Sequence, residues 1–549
     1  MTRWTMVADL ERCVGCQTCT AACRHANATS PAVQWRNVLD VEAGSFPNVS
    51  RTFVPVGCQH CADPPCVHVC PTTATRQRSD GIVTIDYDLC IGCAYCEVAC
   101  PYQARFLVDA PHFAYGAAMQ NEIEREDPAR LGVAQKCTFC SDRVDFGLAN
   151  GLTPGLDARA TPACVNSCIA DALHFGDIDD PDSNVSRLLR EQKHFRMHNE
   201  LGTEPSFFYL YAKAGDVEPP AATASALSAE EQTGKIRTRG VEPWHQPHWN
   251  WKAAGNFLCG GAGTGLFAVT AVAGLDGVSF AVPALIALAL VAFGLFLLIF
   301  KIGRPLRSIY VLRQPQRSWM SRESWVAAIF LPLAVLAVWS ENGALVGIAA
   351  VLGLLFLYCQ GMILKEAKGI PAWRTPPIVP LIAVTGLTEG AGLLLAMLPL
   401  RPELTPVAPP VAAAMLVLVA ARGLVWMTYS TGLRNAGAPT RTFEVLNAYR
   451  PWFRAFGLAV PAVAVTLGYI VTTIATLLFA LGGFSAFSAG WALKFILVTR
   501  AGYNQGFALN HTPVRGSGAA GPMVKPGWFL PEATIAVDEI SRRRLASAP

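Results

Sequence analysis

At 549 residues with a formal net charge of +4, the chain is too long for a single core and too weakly charged overall to suit nucleic acid as a partner. Sixteen of its eighteen cysteines precede position 169, whereas the long apolar runs follow position 250. That segregation argues against both a disulfide-stapled secreted domain and a uniformly soluble globule, and implies a soluble head followed by a membrane body.

The first thirteen residues carry Asp9 and Glu11 and no apolar core, so no cleavable leader is expected there. Four cysteine blocks then follow in order. They are Cys13-x-x-Cys16-x-x-Cys19-x3-Cys23, Cys58-x-x-Cys61-x4-Cys66-x3-Cys70-Pro71, Cys90-x-x-Cys93-x-x-Cys96-x3-Cys100-Pro101 and Cys137-x-x-Cys140-x23-Cys164-x3-Cys168. Three thiolates at this spacing hold three irons of a [4Fe-4S] cluster, and the fourth reaches across to a neighbouring cluster. Zinc sites use separated cysteine pairs, and a third cysteine two residues after a C-x-x-C crowds a tetrahedral ion. Sixteen thiolates suffice for four [4Fe-4S] clusters.

Between the blocks the signals are weaker. The 23-residue gap from Cys140 to Cys164 contains Asn150-Gly-Leu-Thr-Pro-Gly155, which reads as an inserted loop, either a docking element or a surface excursion. The stretches 24–57 and 103–136 read as too polar for core and as candidate partner surface. His60 and His68 lie inside the second block, where a ring could tune a cluster through a hydrogen bond.

Residues 212–250, with Pro-Pro, Ala-Thr-Ala-Ser-Ala and Glu-Glu-Gln stretches, read as a linker, and Trp244, Trp249 and Trp251 suit a membrane interface. Eight apolar segments follow, at about 252–274, 280–301, 324–339, 344–364, 378–399, 407–428, 456–481 and 484–502. Gly255, Gly261 and Gly265 in the first suit close helix contact. Loops on one side of these segments carry Lys301, Arg304, Arg307, Arg313, Arg317, Arg322, Lys365, Lys368, Arg374, Arg434, Arg441, Arg450 and Arg454, against Arg401 alone on the other. Basic loops stay cytoplasmic, so the head and both termini are expected in the cytoplasm. Ten histidines occur and none falls within an apolar segment, so no haem ligands are expected in the body. Ionisable residues at membrane depth are costly and point to function. Glu389, Arg422 and Lys494 qualify, with Glu389 a candidate for quinone proton transfer and Arg422 a candidate to orient a quinone oxygen or to pair with Glu389.

Over residues 5 to about 211 the four blocks resemble the four-cluster iron-sulfur subunits of the molybdopterin oxidoreductase family. The resemblance implies that Cys13, Cys16, Cys19 and Cys168 hold cluster 1, and Cys23, Cys137, Cys140 and Cys164 cluster 2. Cluster 3 would take Cys58, Cys61, Cys66 and Cys100, and cluster 4 Cys70, Cys90, Cys93 and Cys96. The loop Gly303-Arg-Pro-Leu-Arg307 followed by Ser318-Trp-Met-Ser-Arg-Glu-Ser-Trp325 resembles the haem-free anchor subunit of dimethyl sulfoxide reductase. That likeness places a candidate quinone site at Arg304, Arg307, Arg322 and Glu323, together with Glu389 and Arg422. The opening Met6 to Cys23 and the stretch Phe300 to Pro305 look similar to the cytoplasm-facing membrane-bound sulfite dehydrogenase.

The expected fold is therefore an α+β double bacterial-ferredoxin-like head with four [4Fe-4S] clusters, then an all-α eight-helix transmembrane domain. Its divisions are 1–211 (head), 212–250 (linker), 251–503 (membrane anchor) and 504–549 (cytoplasmic tail). The resemblance implies an electron-transfer and anchor subunit in a bacterial cytoplasmic membrane. A separate molybdopterin subunit with a molybdenum bis-guanine-dinucleotide cofactor would be its partner and quinone its co-substrate. Sulfite oxidation with quinone reduction is the expected reaction. The alternatives are a quinol-oxidising reductase of dimethyl sulfoxide or sulfur oxyanions, oxidation of an organic acid thioester and, in a different class, a redox-driven transporter or pump.

Overall fold

The computed structural model describes residues 2–31, 33–45, 48–213, 242–274, 277–515 and 519–520. Most of the linker expected at 212–250 and of the tail expected at 504–549 lies outside the described residues. The chain divides into two compact units, one of residues 1–68, 73–244 and 504–549, the other of 69–72 and 245–503.

The first unit is built on a four-stranded sheet. Its strands are β1 (Trp4–Asp9), β4 (Leu173–Asp177), β5 (Gln192–Phe195) and β6 (Phe207–Lys213), in the order β4-β1-β6-β5. β1 runs parallel to β6, with Met6 opposite Phe207, and antiparallel to β4, with Met6 opposite Phe175. Every residue of β1 is buried, as a central strand covered on both faces requires. A hairpin of β2 (Arg36–Ser45) and β3 (Asn48–Gly57) pairs Arg36 with Gly57 and supplies Val38, Leu39, Val41, Val54 and Val56 to the core. The expectation that 24–57 and 103–136 are too polar for core is thus corrected for the hairpin and for the two ends of 103–136, while Tyr115, Met119 and Ile123 between those ends are exposed. Alternation along the hairpin turns one side inward, and Arg105 and Lys136 are each 1% exposed.

The 140–164 gap is an ordered excursion. A helix α2 (Ser141–Ala149) leads into a turn at Gly151 and Gly155, both at positive φ. A Cβ on Gly155 would stand 1.9 Å from the Phe175 carbonyl oxygen, so only glycine lets this loop rest against β4. Past the last membrane helix the chain rejoins this unit. Phe507 and Leu509 enter its core and the His511 ring stacks on Tyr211 at 4.4 Å.

The second unit holds eight helices long and apolar enough to cross a membrane. They are α3 (Trp251–Val272), α4 (Gly277–Ile299), α5 (Trp319–Ser340), α6 (Gly343–Lys365), α7 (Ile378–Ala396), α8 (Ala408–Asn435), α9 (Thr440–Ile470) and α10 (Ala475–Thr499). α9 includes a π-helical stretch, Phe453–Ala459. Two segments differ from expectation. The seventh starts at Thr440 rather than 456, and the break before the eighth falls at Val471 to Ile474, inside a run with neither glycine nor proline to mark it. Arg441, Arg450 and Arg454 consequently lie within α9 and not in a loop.

Glycine governs how these helices meet. A Cβ on Gly265 of α3 would stand 2.0 Å from the Gly386 carbonyl oxygen of α7, so the two backbones touch directly. Gly255 clears Leu297, whereas Gly261 clears the Lys494 amine. The stretch Val69–Thr72 belongs to this unit, with Ser318 Oγ donating to the Val69 carbonyl at 2.8 Å and Ser321 Oγ to the Pro71 carbonyl at 3.2 Å.

Candidate functional site: cysteine groups and a buried polar chain

Each C-x-x-C loop winds through a left-handed residue before a helix starts. Gln17 opens α1 (Thr18–Asn27), Ala94 opens the turn Tyr95–Val98, and Cys140 opens α2, all at positive φ. A chain reversing this tightly brings successive thiols to one interior point, which an extended or helical loop cannot do.

The thiols gather in the interior of the unit, with neighbours drawn from more than one block. Cys23 lies within electrostatic reach of Cys137, Cys164 and Cys140, and Cys61 within reach of Cys58, Cys66 and Cys100. Cys19 is surrounded by Cys164, Cys13 and Cys168, and burial pushes its thiol up to about 11. Cys16 is exposed, and hydrogen bonding to Thr18 holds its thiol below the ordinary value. Cys90, Cys93 and Cys96 lie on the loop that ends at Ala94 and the following turn, and Cys70 lies in the Val69–Thr72 stretch. Eighteen cysteines are free of disulfides. Among the described residues no three His, Cys, Asp or Glu side chains converge closely enough for a single metal ion. Buried thiols grouped in this way suit iron-sulfur ligation.

Three cations lie among these thiols, and nothing in the sequence marks them as interior. Arg36 is 1% exposed, with Nη2 2.8 Å from Met6 Sδ and its guanidinium over the Phe207 ring. Its Nε and Nη1 have no protein partner, and Cys164, Cys137, Cys19 and Cys23 all favour its charge. Arg105 donates from Nη2 to Cys66 Sγ at 2.9 Å and from Nη1 to Thr75 Oγ1 at 3.1 Å. Lys136 Nζ donates to the Cys137 carbonyl at 2.6 Å, and burial lowers its pKa. His60 stacks on Phe139 at 3.7 Å and accepts the Val83 N–H on Nδ1. Burial beside the three cations keeps its ring neutral. His68 instead pairs with Asp63.

Within the helical unit, Glu389 and Lys494 are both fully buried and joined at 2.6 Å from Nζ to Oε2. The expected Glu389–Arg422 pairing is not the one formed. Arg422 donates to the backbone carbonyls of Gly457 and Ala486, and its guanidinium lies over Phe453. Glu323, 2% exposed, accepts from Asn256 Nδ2 at 3.1 Å and also hydrogen-bonds to Gln360. Arg322 turns back to the carbonyls of Pro315 and Gln316, and Trp325 Nε1 donates to Leu312. The 3-10 helix Pro305–Arg313 is thereby held against the first turns of α5, with Arg304 and Arg307 half-buried at its start.

A cysteine-lined ferredoxin-type unit and a bundle of eight spans in one chain define an iron-sulfur electron-transfer protein fused to a multi-pass membrane anchor. Residues 49–115 match the family model described as a 4Fe-4S dicluster domain, and residues 257–479 match that of the DMSO reductase anchor subunit (DmsC). The chain is 40% identical to a selenate reductase subunit of Mesobacillus selenatarsenatis over 224 residues, which is 38% of this chain and 72% of that protein. It is 41% identical to the putative dimethyl sulfoxide reductase iron-sulfur subunit of Halobacterium salinarum over 233 residues, 40% of this chain and 83% of the relative. With a sulfite dehydrogenase subunit of Allochromatium vinosum it shares 36% over 262 residues, 45% of this chain and 93% of the relative. The chain belongs to the family of iron-sulfur subunits of molybdenum oxidoreductases, joined here to an anchor domain of the DMSO reductase type.

Proposed function

We propose that this chain passes electrons between a separate molybdopterin subunit, carrying molybdenum bis-guanine-dinucleotide, and membrane quinone, and that the complex oxidises sulfite to sulfate. The observation that carries the quinone half is the union in one polypeptide of the cysteine-rich unit with a bundle holding Glu389, Lys494 and Glu323 away from water. Sulfite and water would give sulfate, two protons and two electrons, and quinone would take up two electrons and two protons.

In this reading Cys13, Cys16, Cys19 and Cys168 hold the first cluster, and Cys23, Cys137, Cys140 and Cys164 the second. Cys58, Cys61, Cys66 and Cys100 hold the third, and Cys70, Cys90, Cys93 and Cys96 the fourth. Four bound [4Fe-4S] clusters supply one-electron carriers. Iron analysis of the purified chain should then give about sixteen iron atoms per polypeptide. Around the first group Cys16 is exposed, with Val14, next to Cys13, 57% and Ile169, next to Cys168, 73% exposed, as a docking edge for the catalytic partner requires. Arg304, Arg307 and Arg322 would orient the quinone oxygens, while Glu323 and Glu389 would hold or deliver its protons. The basic bias of one set of loops supports a cytoplasmic head in a bacterial inner membrane.

Sulfite is supported by the match to the sulfite dehydrogenase relative, which extends over 45% of this chain and 93% of that protein. A second reading, quinol-driven reduction of dimethyl sulfoxide or a sulfur oxyanion, is favoured by the higher identity, 41%, to a dimethyl sulfoxide reductase subunit. Assay of the purified complex separates the two. Sulfite-dependent reduction of decylubiquinone is expected. Turnover with dimethyl sulfoxide or tetrathionate and decylubiquinol, and none with sulfite, would overturn it.

A further inference from the structure

Glu323 and Glu389 sit on different helices, yet buried polar atoms run almost continuously between them. Glu323 accepts from Asn256 Nδ2, and Gln360 Nε2 donates to the Asn256 carbonyl at 2.8 Å. Gln360 Oε1 has no protein partner, and it shares the space above Gly261 with Lys494 Nζ. A Cβ on that glycine would stand 2.1 Å from Nζ and 3.4 Å from Oε1. Lys494 Nζ then bonds the Phe257 carbonyl at 3.1 Å and Glu389 Oε2 at 2.6 Å. The second Glu389 oxygen is also unpartnered and lies at Gly490, where a Cβ would meet it at 2.6 Å. Glu323, Gln360, Lys494 and Glu389 are each 0–2% exposed.

The chain has a direction. Asn256 and Glu323 stand near the starts of α3 and α5, and Gln360 and Lys494 near the ends of α6 and α10, so all four share one end of the bundle. Glu389 is the twelfth residue of the nineteen-residue α7, well inside. Arg422, on α8, Tyr449, whose hydroxyl donates to the Ala489 carbonyl, and Cys259, on α3, are other ionisable groups within electrostatic reach of Glu389. A carboxylate, an amine and an amide in sequence can each hold a proton or lend a donor, and unpartnered oxygens leave places for water between them. Hydrophobic helices would not bury four such groups for packing alone, because each is costly in hydrocarbon.

We propose that Glu323, Gln360, Lys494 and Glu389 form a proton relay connecting the end of the bundle where α3 and α5 begin to its interior, and that protons exchanged with quinone travel along it. The proposal rests on the quinone reading above. For each quinone reduced to hydroquinone, two electrons arrive from the iron-sulfur unit and the two protons taken up travel along the relay between Glu323 and Glu389.

The test uses the full-length, cluster-loaded chain in liposomes, reduced with dithionite and freed of excess reductant, with decylubiquinone as electron acceptor and an enclosed pH dye. Cluster reoxidation and proton uptake are followed in H2O and D2O. Gln360→Leu leaves the Lys494–Glu389 pair intact, and Lys494→Met breaks it. Both are expected to slow reoxidation at least tenfold and to raise the solvent isotope effect, while dithionite still reduces every cluster. Lys494→Arg should restore most of the rate. Wild-type rates and isotope effects in folded Gln360→Leu would overturn the relay and leave the quinone reading standing. A dithionite-reduced wild-type chain that fails to reduce decylubiquinone would overturn both.

Discussion

Lys494 Nζ lies 2.6 Å from Glu389 Oε2, and neither side chain has any exposure. Removing one partner of such a pair leaves a lone buried charge, whereas removing both leaves a neutral gap. Lys494→Met should therefore destabilise the folded chain by about 3–5 kcal/mol, and Glu389→Gln combined with Lys494→Met should recover much of that loss. Thermal unfolding of the detergent-solubilised variants measures this. Equal destabilisation by the single and double variants would show that the pair is not what Lys494 contributes.

Glu389→Gln keeps the shape of the side chain and removes its titration. Quinone turnover should fall at least tenfold while the EPR signals of the iron-sulfur clusters persist. Unchanged turnover would remove Glu389 from proton handling.

Arg36 carries a buried charge within reach of four thiols assigned to two clusters. A positive charge nearby stabilises the reduced, more negative cluster. At an effective dielectric of about 20, removing it is worth roughly 100 mV. Arg36→Met should lower the midpoint potentials of the first two clusters by that order in an EPR-monitored redox titration, and Arg36→Lys should lower them less. Identical potentials in Arg36→Met would mean that solvent or backbone dipoles dominate.

Gly265 and Gly347 provide a matched packing test. A Cβ at position 265 strikes the backbone of α7, and one at position 347 meets nothing within 4 Å. Gly265→Ala should cost about 1–3 kcal/mol through overpacking, and Gly347→Ala should be neutral or slightly stabilising because it favours helix. Equal melting temperatures for the two would contradict direct contact between α3 and α7.

Leu509 is 1% exposed in the core of the first unit, although it follows the last membrane helix in the chain. Leu509→Ala should destabilise that unit by about 2–5 kcal/mol. Limited proteolysis should then cut the cysteine-rich part faster while leaving the bundle's cleavage rate unchanged.

Much of this was legible in the sequence because its signals are local. Cluster-type cysteine spacing needs only a dozen residues, and membrane helices need only sustained apolar length. What escaped depends on distant partners. Lys494 pairs with Glu389 across 105 residues and two helices, so sequence order pointed equally to Arg422. Arg36, Arg105 and Lys136 look like surface residues until the thiols that accommodate their charge fold around them. The turn at Val471 to Ile474 carries no breaker residue, and Phe507 and Leu509 sit in a segment that reads as tail. In each case tertiary contact overrode a weak local signal.

Electron exchange between the cysteine-rich unit and quinone is tested most directly by single-turnover reoxidation. The full-length chain is reduced with dithionite, freed of excess reductant under anaerobic conditions and mixed with decylubiquinone, and its clusters are followed by EPR. Loss of the reduced-cluster signals, with one decylubiquinol formed per two electrons removed, is the expected result. Clusters that stay reduced in the presence of the quinone would contradict a quinone-reactive anchor.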